Sequence, residues 1–266
     1  MCKNIKNNAI YLSRMQKTYL DKSWFMSIIP DEIDTIVDFG CADNSFNEYL
    51  GQNFPEYDYI GIDNNPEFIK MVRDKGQTCF SNLQELTDNF YINPDSTLLV
   101  MNSVLHEIYS YANVDKFYED LKSFNPKYIA FRDMYARDCG YYGSRTQQEL
   151  ETIAKVNMKA HYNDFVKKWG QIDNGYTAVH FLLKYFYNEN WNREVNENYI
   201  PYHYRELHER FRRAGYNVTF ERFYGLMFLK DKWHKDFRCD ENPHLKTFID
   251  KITTHLKLFL VRGFDK

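Results

Sequence analysis

The stretch Thr35-Ile36-Val37-Asp38-Phe39-Gly40-Cys41-Ala42-Asp43-Asn44-Ser45 decides how this chain is read. Its first five residues form a short, mostly apolar run, suited to a strand buried on both faces. The residues after it are small or turn-forming. Gly40 permits a tight turn and leaves bare backbone for a close approach. Ala42 is small, and Asn44 is among the non-glycine residues that best tolerate a left-handed conformation. A helix beginning near Phe46 and stopping before Pro55 completes a strand–loop–helix unit.

The same alternation continues outward. Tyr57 to Ile62 reads as a second strand ending at Asp63, and Asn64-Asn65-Pro66 opens a helix with proline where its missing N–H costs nothing. Thr78 to Ser81 is a weak third strand, Ser96 to Met101 a continuous apolar fourth and Lys127 to Phe131 a fifth, with a helix over 113–124 between the last two. Strands that are apolar on both faces and alternate with helices require a parallel sheet covered on both sides. The expected fold class is therefore α/β, with a mostly parallel sheet carrying helices on both faces.

Before this core, residues 1–30 carry helical periodicity at Leu12, Met15, Tyr19, Phe25 and Ile28, ended by Pro30. After it, residues 135–200 read as a helical cap insertion, dense in aromatics and without a strand period. The core then resumes with a helix over 203–214, a strand from Asn217 to Phe223, a helical stretch with Leu229, Trp233 and Phe237 every four residues, and a last strand from Thr254 to Arg262. In that last strand Leu256, Leu258 and Leu260 alternate with His255, Lys257 and Phe259. The expected organisation is 1–30 as an N-terminal segment, 31–134 with 201–266 as the core, and 135–200 as the insertion.

The chain has 266 residues, 44% hydrophobic and 27% charged, with 22 Tyr and 21 Phe, which fits a globular fold with an aromatic-rich core or pocket. Its formal net charge of −3 gives no global field toward nucleic acid; Arg210, Arg212 and Arg213 fit a solvated helix face. The five cysteines, Cys2, Cys41, Cys79, Cys139 and Cys239, form no CxxC pair, arguing against a disulfide framework or a zinc site; no metal is expected. No apolar run approaches the roughly 20 residues of a membrane span, and Met1 to Ala9 lacks a signal-peptide core, so a cytoplasmic location is expected.

In an open parallel sheet ligands sit beyond the carboxyl ends of the strands, where strand order reverses. That places the Gly40 loop beside the end of the second strand, where Asp63 follows about twenty residues on and can accept from both ribose hydroxyls of an adenosine. With these residues the chain resembles the class I methyltransferases that use S-adenosylmethionine. Asp38 to Asn44 is similar to their first motif and Tyr59 to Asp63 to their second. Leu98 to Glu107 is similar to their fourth-strand motif, and Gly215 to Val218 to the turn before their sixth strand. The likeness covers roughly 35–133 and 203–262 and departs from the motif at Asn44, where a third glycine is usual. It implies a Rossmann-like seven-stranded, mostly parallel sheet with an antiparallel last strand, and S-adenosyl-L-methionine as cofactor. Asp38 would lie near the methionine amino group, with Gly40, Cys41 and Ala42 against the cofactor. Asp63 and Asn64 would stand at the ribose, Asn82 and Leu83 beside the adenine, and Asn102 and Ser103 below the sulfonium. A dinucleotide enzyme would need further glycines in this loop, and Asp43 would repel a phosphate.

On the acceptor side, His106-Glu107 after the fourth strand and Arg132-Asp133 after the fifth are the candidate catalytic residues. His106 would be a base or an acceptor-orienting group, or a histidine bonding backbone at a helix start. Arg132-Asp133 could instead be an ion pair fixing the loop. Tyr135, Tyr176, His180, Tyr185 and Trp191 could line a substrate wall or pack the insertion upon itself. Arg145 and Lys159 could meet an anionic acceptor. The acceptor is expected to be a small molecule in a closed aromatic pocket, with RNA or a nucleotide as the alternative. A binding module that holds S-adenosylmethionine without catalysis, or a structural protein that has lost both properties, stays open.

Overall fold

The computed structural model describes residues 18–137, 140–187 and 190–263. Expectations concerning Met1 to Ala9, Leu12, Met15, Cys2 and Cys139 lie outside the described residues.

In chain order the elements are α1 (Tyr19–Lys22), a 3-10 turn (Ser23–Ser27), β1 (Thr35–Phe39), α2 (Ser45–Asn53), β2 (Asp58–Ile62), α3 (Pro66–Asp74), β3 (Cys79–Phe80) and α4 (Leu83–Asn89). There follow β4 (Thr97–Asn102), α5 (Leu105–Tyr111), α6 (Val114–Phe124) and β5 (Tyr128–Met134). Next come the helices α7 (Ser144–Asn157), α8 (Lys159–Trp169), α9 (Gly175–Phe186) and α10 (Trp191–Glu194). The chain then runs through α11 (Tyr204–Arg213), β6 (Tyr216–Tyr224), α12 (Met227–Asp236), α13 (Pro243–Lys251) and β7 (His255–Arg262).

The strands form one sheet in the order β3-β2-β1-β4-β5-β7-β6. Strands β1 to β5 pair in parallel. β7 runs the other way: the Arg262 N–H bonds Lys127 O before β5, the Gly263 N–H bonds Gly215 O before β6, and the Thr254 N–H bonds Tyr224 O at the far end of β6. The expected mostly parallel sheet with a reversed last strand is thus present. β7 lies inside the sheet, between β5 and β6, and His255 to Leu260 are all buried, so the polar members of its alternation are enclosed with the leucines; β6 is the edge strand and carries a half-exposed pattern.

The chain divides into two compact units, residues 1–133, 202–221 and 257–266 in one, and 134–201 with 222–256 in the other. The second takes in 222–256, a stretch the sequence reading grouped with the core. In the first unit, one apolar cluster joins Phe25, Ile33, Ile36, Phe46, Leu50, Leu98, Val100 and Phe259. Further aromatic packing links Phe39 to Phe117, and Phe131 and Tyr118 to Phe211. The second unit has its own core, including Leu150, Phe165, Phe181, Leu182, Trp233, Phe237 and Phe248. No helix among the described residues is long and apolar enough to cross a membrane.

Candidate functional site

β1 is flanked by β2 and β4, so the loops after β1 and β4 leave a reversal point of the sheet. Ile62, Phe39 and Met101 are in register, which sets Asp63, Gly40 and Asn102 one step beyond them, with Asn102 facing Arg132 on β5. The first-unit residues expected around the cofactor thus meet at one end of the sheet.

The loop from Gly40 to Asn44 is held by unusual backbone. Gly40, Ala42 and Asn44 have φ of +86°, +50° and +65°, so the left-handed role expected of Asn44 is what it plays. The Gly40 and Cys41 N–H groups both donate to Ile62 O, at 2.7 and 3.0 Å. The loop therefore lies on the end of β2, and a Cβ at Gly61 would stand 2.6 Å from Cys41 Sγ and 2.8 Å from Asn44 Oδ1. A Cβ at Gly40 would meet Val104 Cγ2 at 2.8 Å. On the side where a Cβ would stand, the Gly40 Cα is closed by this valine, so any side chain there would collide with it. Asn44 also places α2: its Oδ1 accepts from Asn47 Nδ2 at 2.6 Å, while Asp43 accepts from the Ser45 hydroxyl at 2.7 Å.

Asp63 is bound at both oxygens by backbone. Ala42 N–H donates to Oδ2 at 2.9 Å and Asn65 N–H to Oδ1 at 2.8 Å. Burial raises its pKa, and those two N–H groups work against the rise. Each carboxylate oxygen accepts more than one bond, so capacity for two hydroxyls remains. Asp38 is 3% exposed, and burial raises its pKa against the opposing charge of Lys22.

Asn102 differs from its neighbours. It is 8% exposed, and neither its Nδ2 nor its Oδ1 has a hydrogen-bond partner among the described residues. A buried amide without partners costs about 1–3 kcal/mol per unpaired group, an expense a protein avoids unless a ligand or water satisfies it. Ser103 follows at φ +59°, its N–H on Arg132 O at 2.7 Å and its hydroxyl accepting from Arg132 Nη1 at 2.6 Å.

His106 and Asp133 form a buried pair. Asp133 Oδ1 is 2.7 Å from His106 Nδ1, and Oδ2 accepts the His106 backbone N–H at 3.0 Å. A carboxylate at Nδ1 favours a proton there, which leaves the ring lone pair on Nε2. Arg132 Nε donates to Asp21 Oδ2 at 2.7 Å. Arg132 and Asp133 thus each have a described partner of their own, in keeping with adjacent strand residues that point to opposite faces.

The remaining expected residues have other surroundings. Asn64 is exposed. Asn82 caps α4, its Oδ1 accepting the Glu85 N–H at 2.9 Å, and Leu83 is buried beside it. Glu107 is half-buried on α5. Tyr135, Tyr176, His180, Tyr185 and Trp191 all belong to the second unit. Tyr135 bonds Thr254 O through its N–H and packs on Phe223. Tyr176 is exposed on α9. His180 is buried between Trp169 and Phe165 and accepts the Tyr199 N–H at 3.4 Å. The Tyr185 hydroxyl donates to Asp236 at 3.2 Å, with burial pushing its pKa to about 12. Trp191 donates to Asp164 Oδ2 at 3.0 Å. These contacts are those of side chains packed within the second unit.

Sequence reasoning passed over Lys22, Asp21 and Lys257. The signal for Lys22 was present: Tyr19, Lys22 and Phe25 recur every three residues, and all three are buried. A lysine on an apolar stripe is uncommon.

No family model matches the sequence, and no curated protein does. Solved structures do match. The [4+2]-cyclase SpnF superposes with a TM-score of 0.51 at 9% identity, covering 95% of this chain and 81% of its own. Mycolic acid cyclopropane synthase CmaA1, complexed with SAH and CTAB, gives 0.49 at 9% over 93% and 85%. A SAM-dependent methyltransferase from Archaeoglobus fulgidus gives 0.48 at 13% over 95% and 99%. The fold is the methyltransferase fold implied by the sequence motifs. A fold by itself does not fix a reaction, which is set by the site it carries.

Proposed function

We propose that this chain is an S-adenosylmethionine-dependent methyltransferase acting on a small-molecule acceptor. The observation that carries the reading is the orphaned Asn102 amide. It stands at the carboxyl end of β4, level with a left-handed loop of small residues and one strand away from that loop's other neighbour, the doubly anchored Asp63. The residues fit a phosphate-free adenosine ligand with a polar tail: Asp63 has acceptor capacity for two sugar hydroxyls, and Asn102 offers both a donor and an acceptor. Asp38, Gly40, Cys41 and Ala42 would hold the cofactor from the β1 side, with Asn102 and Ser103 from the β4 side.

The cofactor, when bound, supplies a methyl group on a sulfonium. The protein's own part is positioning and proton handling. Asp133 orients His106 and keeps the proton on Nδ1, so that Nε2 could take a proton from a hydroxyl or ammonium acceptor. Asn102 and Ser103 would set the height of the reacting end, and Arg132 would hold Ser103 through its hydroxyl.

Replacing Asn102 with leucine tests the reading. Removing a buried amide that bonds nothing should raise the stability of the free protein by about 1–2 kcal/mol, while S-adenosylhomocysteine binding falls at least about tenfold. Denaturant unfolding and isothermal titration calorimetry measure the two. An Asn102→Leu protein that binds as wild type does would remove the basis of the proposal.

A further inference from the structure

Cys41 and Cys79 meet inside the first unit. Their sulfurs are 3.9 Å apart, and each residue is 3% exposed. They lie 38 positions apart in the chain, so no motif pairs them. Cys41 sits in the loop after β1, its N–H on Ile62 O at 3.0 Å. Cys79 opens β3 in register with Gly61, and its carbonyl accepts from Arg73 Nε at 2.9 Å. Gly61 makes the room for the contact, since a Cβ there would stand 2.6 Å from Cys41 Sγ. A glycine inside a strand weakens it and often marks a close approach; here what approaches is the Cys41 thiol. Val72 and Ile69 line the same cluster with apolar surface. Besides each other, the sulfurs reach Ala42 O and Phe80 O, each at a long 3.8 Å. A buried cysteine on its own is a small apolar side chain, but two in contact are placed to react with each other. Donation from the Cys41 thiol holds Cys79 below its ordinary pKa against the effect of burial, and the charge of Arg73 acts in the same direction.

We propose that Cys41 and Cys79 form an oxidation site that takes hydrogen peroxide, closes to a disulfide and thereby loosens the β1 loop from Asp63. The Cys79 thiolate attacks one peroxide oxygen, the O–O bond breaks, and the departing hydroxide takes up the proton that Cys79 gave up. The Cys41 sulfur then attacks the sulfenic acid on Cys79; the S–S bond forms, the S–O bond breaks, and the hydroxyl leaves as water with the Cys41 proton. Two thiols lose two electrons and two hydrogens, and one peroxide becomes two waters. Burial admits this small neutral oxidant and hinders a bulky one such as oxidised glutathione. A disulfide holds its sulfurs about 2.05 Å apart, so closure draws the loop toward β3. Asp63 lies between the neighbours of the two cysteines: Ala42 N–H donates to its Oδ2 at 2.9 Å, and its own N–H donates to Phe80 O at 3.0 Å. Moving one cysteine toward the other therefore disturbs the carboxylate. That consequence rests on the cofactor reading above, whereas the disulfide itself does not.

The full chain, reduced and freed of reductant, is treated with hydrogen peroxide without denaturant, and its peptides are mapped by mass spectrometry after alkylation of the remaining thiols. A Cys41–Cys79 cross-link, lighter by two hydrogens and reopened by dithiothreitol, is expected, with oxidised glutathione giving it more slowly. Calorimetry should show S-adenosylhomocysteine binding weakened at least about fivefold in the cross-linked chain and restored by dithiothreitol. In Cys79→Ser and Cys79→Ala, peroxide should leave each variant within about twofold of its own reduced affinity, far less than the coupling expected in wild type. The wild-type peptide map needs no variant to fold. Sulfinic or sulfonic acid at either residue without the cross-link, or a reaction that waits for urea, overturns the site. Oxidised glutathione that reacts as fast as peroxide overturns the oxidant assigned. A cross-link that leaves S-adenosylhomocysteine affinity unchanged, or a Cys79 variant whose affinity still falls under peroxide, overturns the coupling to Asp63. Reduced wild type that binds no S-adenosylhomocysteine refutes the cofactor reading instead, and the cross-link is still read from the peptide masses.

Discussion

Replacing Asp63 with alanine should damage the ligand and the loop by separable amounts. Two sugar hydroxyls on an ionised carboxylate contribute about 1.5–3 kcal/mol each, so their loss weakens binding by about 3–6 kcal/mol, on the order of 100- to 10,000-fold in Kd. The same change strips the acceptors from the Ala42 and Asn65 N–H groups, now at 2.9 and 2.8 Å. Asp63 is only half-buried, so water reaches part of the gap, and the stability lost should be nearer to about 1–2 kcal/mol. Asp63→Asn keeps one oxygen for one of the two N–H groups and discards the charge, so it should fall between wild type and alanine in both measurements. Calorimetry with S-adenosylhomocysteine gives the first quantity and urea unfolding the second. Acidification offers an internal check. Burial raises the Asp63 pKa, so affinity that depends on its carboxylate is present at neutral pH and fades as pH falls, beginning above the usual carboxylate range. Asp63→Ala should lose this part of the pH dependence and keep the part due to Asp38, whose pKa is also raised by burial. An alanine variant that binds within threefold of wild type would refute the role assigned to this carboxylate.

Two further outcomes follow from the same packing arguments. Gly61→Ala puts a Cβ 2.6 Å from Cys41 Sγ and 2.8 Å from Asn44 Oδ1, so it should cost about 1–3 kcal/mol of stability and lower cofactor affinity by displacing the loop; adding Cys41→Ala should restore part of the urea midpoint but not all, since Asn44 stays. His180 is held well below the ordinary imidazole pKa by burial and then by the charge of Lys184, so near pH 6.5 and below the unfolded chain takes up a proton that the folded second unit refuses. Stability should therefore fall as pH drops below about 6.5, by up to about 1.4 kcal/mol per pH unit, and urea titrations at pH 7.5 and 5.5 should show a smaller drop in His180→Phe.

Much of the candidate site was legible because its signals are local. The residues after β1, the acid at the end of β2 and Asn102-Ser103 at the end of β4 each lie at a strand terminus. A strand that is apolar on both faces announces both the parallel sheet and the end at which ligands collect. The alternation of His255, Lys257 and Phe259 with Leu256, Leu258 and Leu260 did not say that both sets would be buried, because what covers the two faces of a sheet comes from residues far along the chain. The aromatics of α9 and α10 carry no periodic signal that separates a pocket wall from a packed interior. The structure gives His180, Tyr185 and Trp191 partners inside their own unit.

By itself the sequence determined the alternating strands and helices and the left-handed loop through Asn44, since each depends on neighbours a few residues apart. Only the tertiary structure decided that Asp133 serves His106 while Arg132 serves Asp21 and Ser103, that Lys257 reaches Asp21 from the far end of the chain, and that Lys22 falls within the field of Asp38. Those pairings join residues from α1, β1, α5, β5, β7 and the turn after β4. Charge attraction acts across space without regard to chain separation, and these groups become neighbours only when the sheet has assembled.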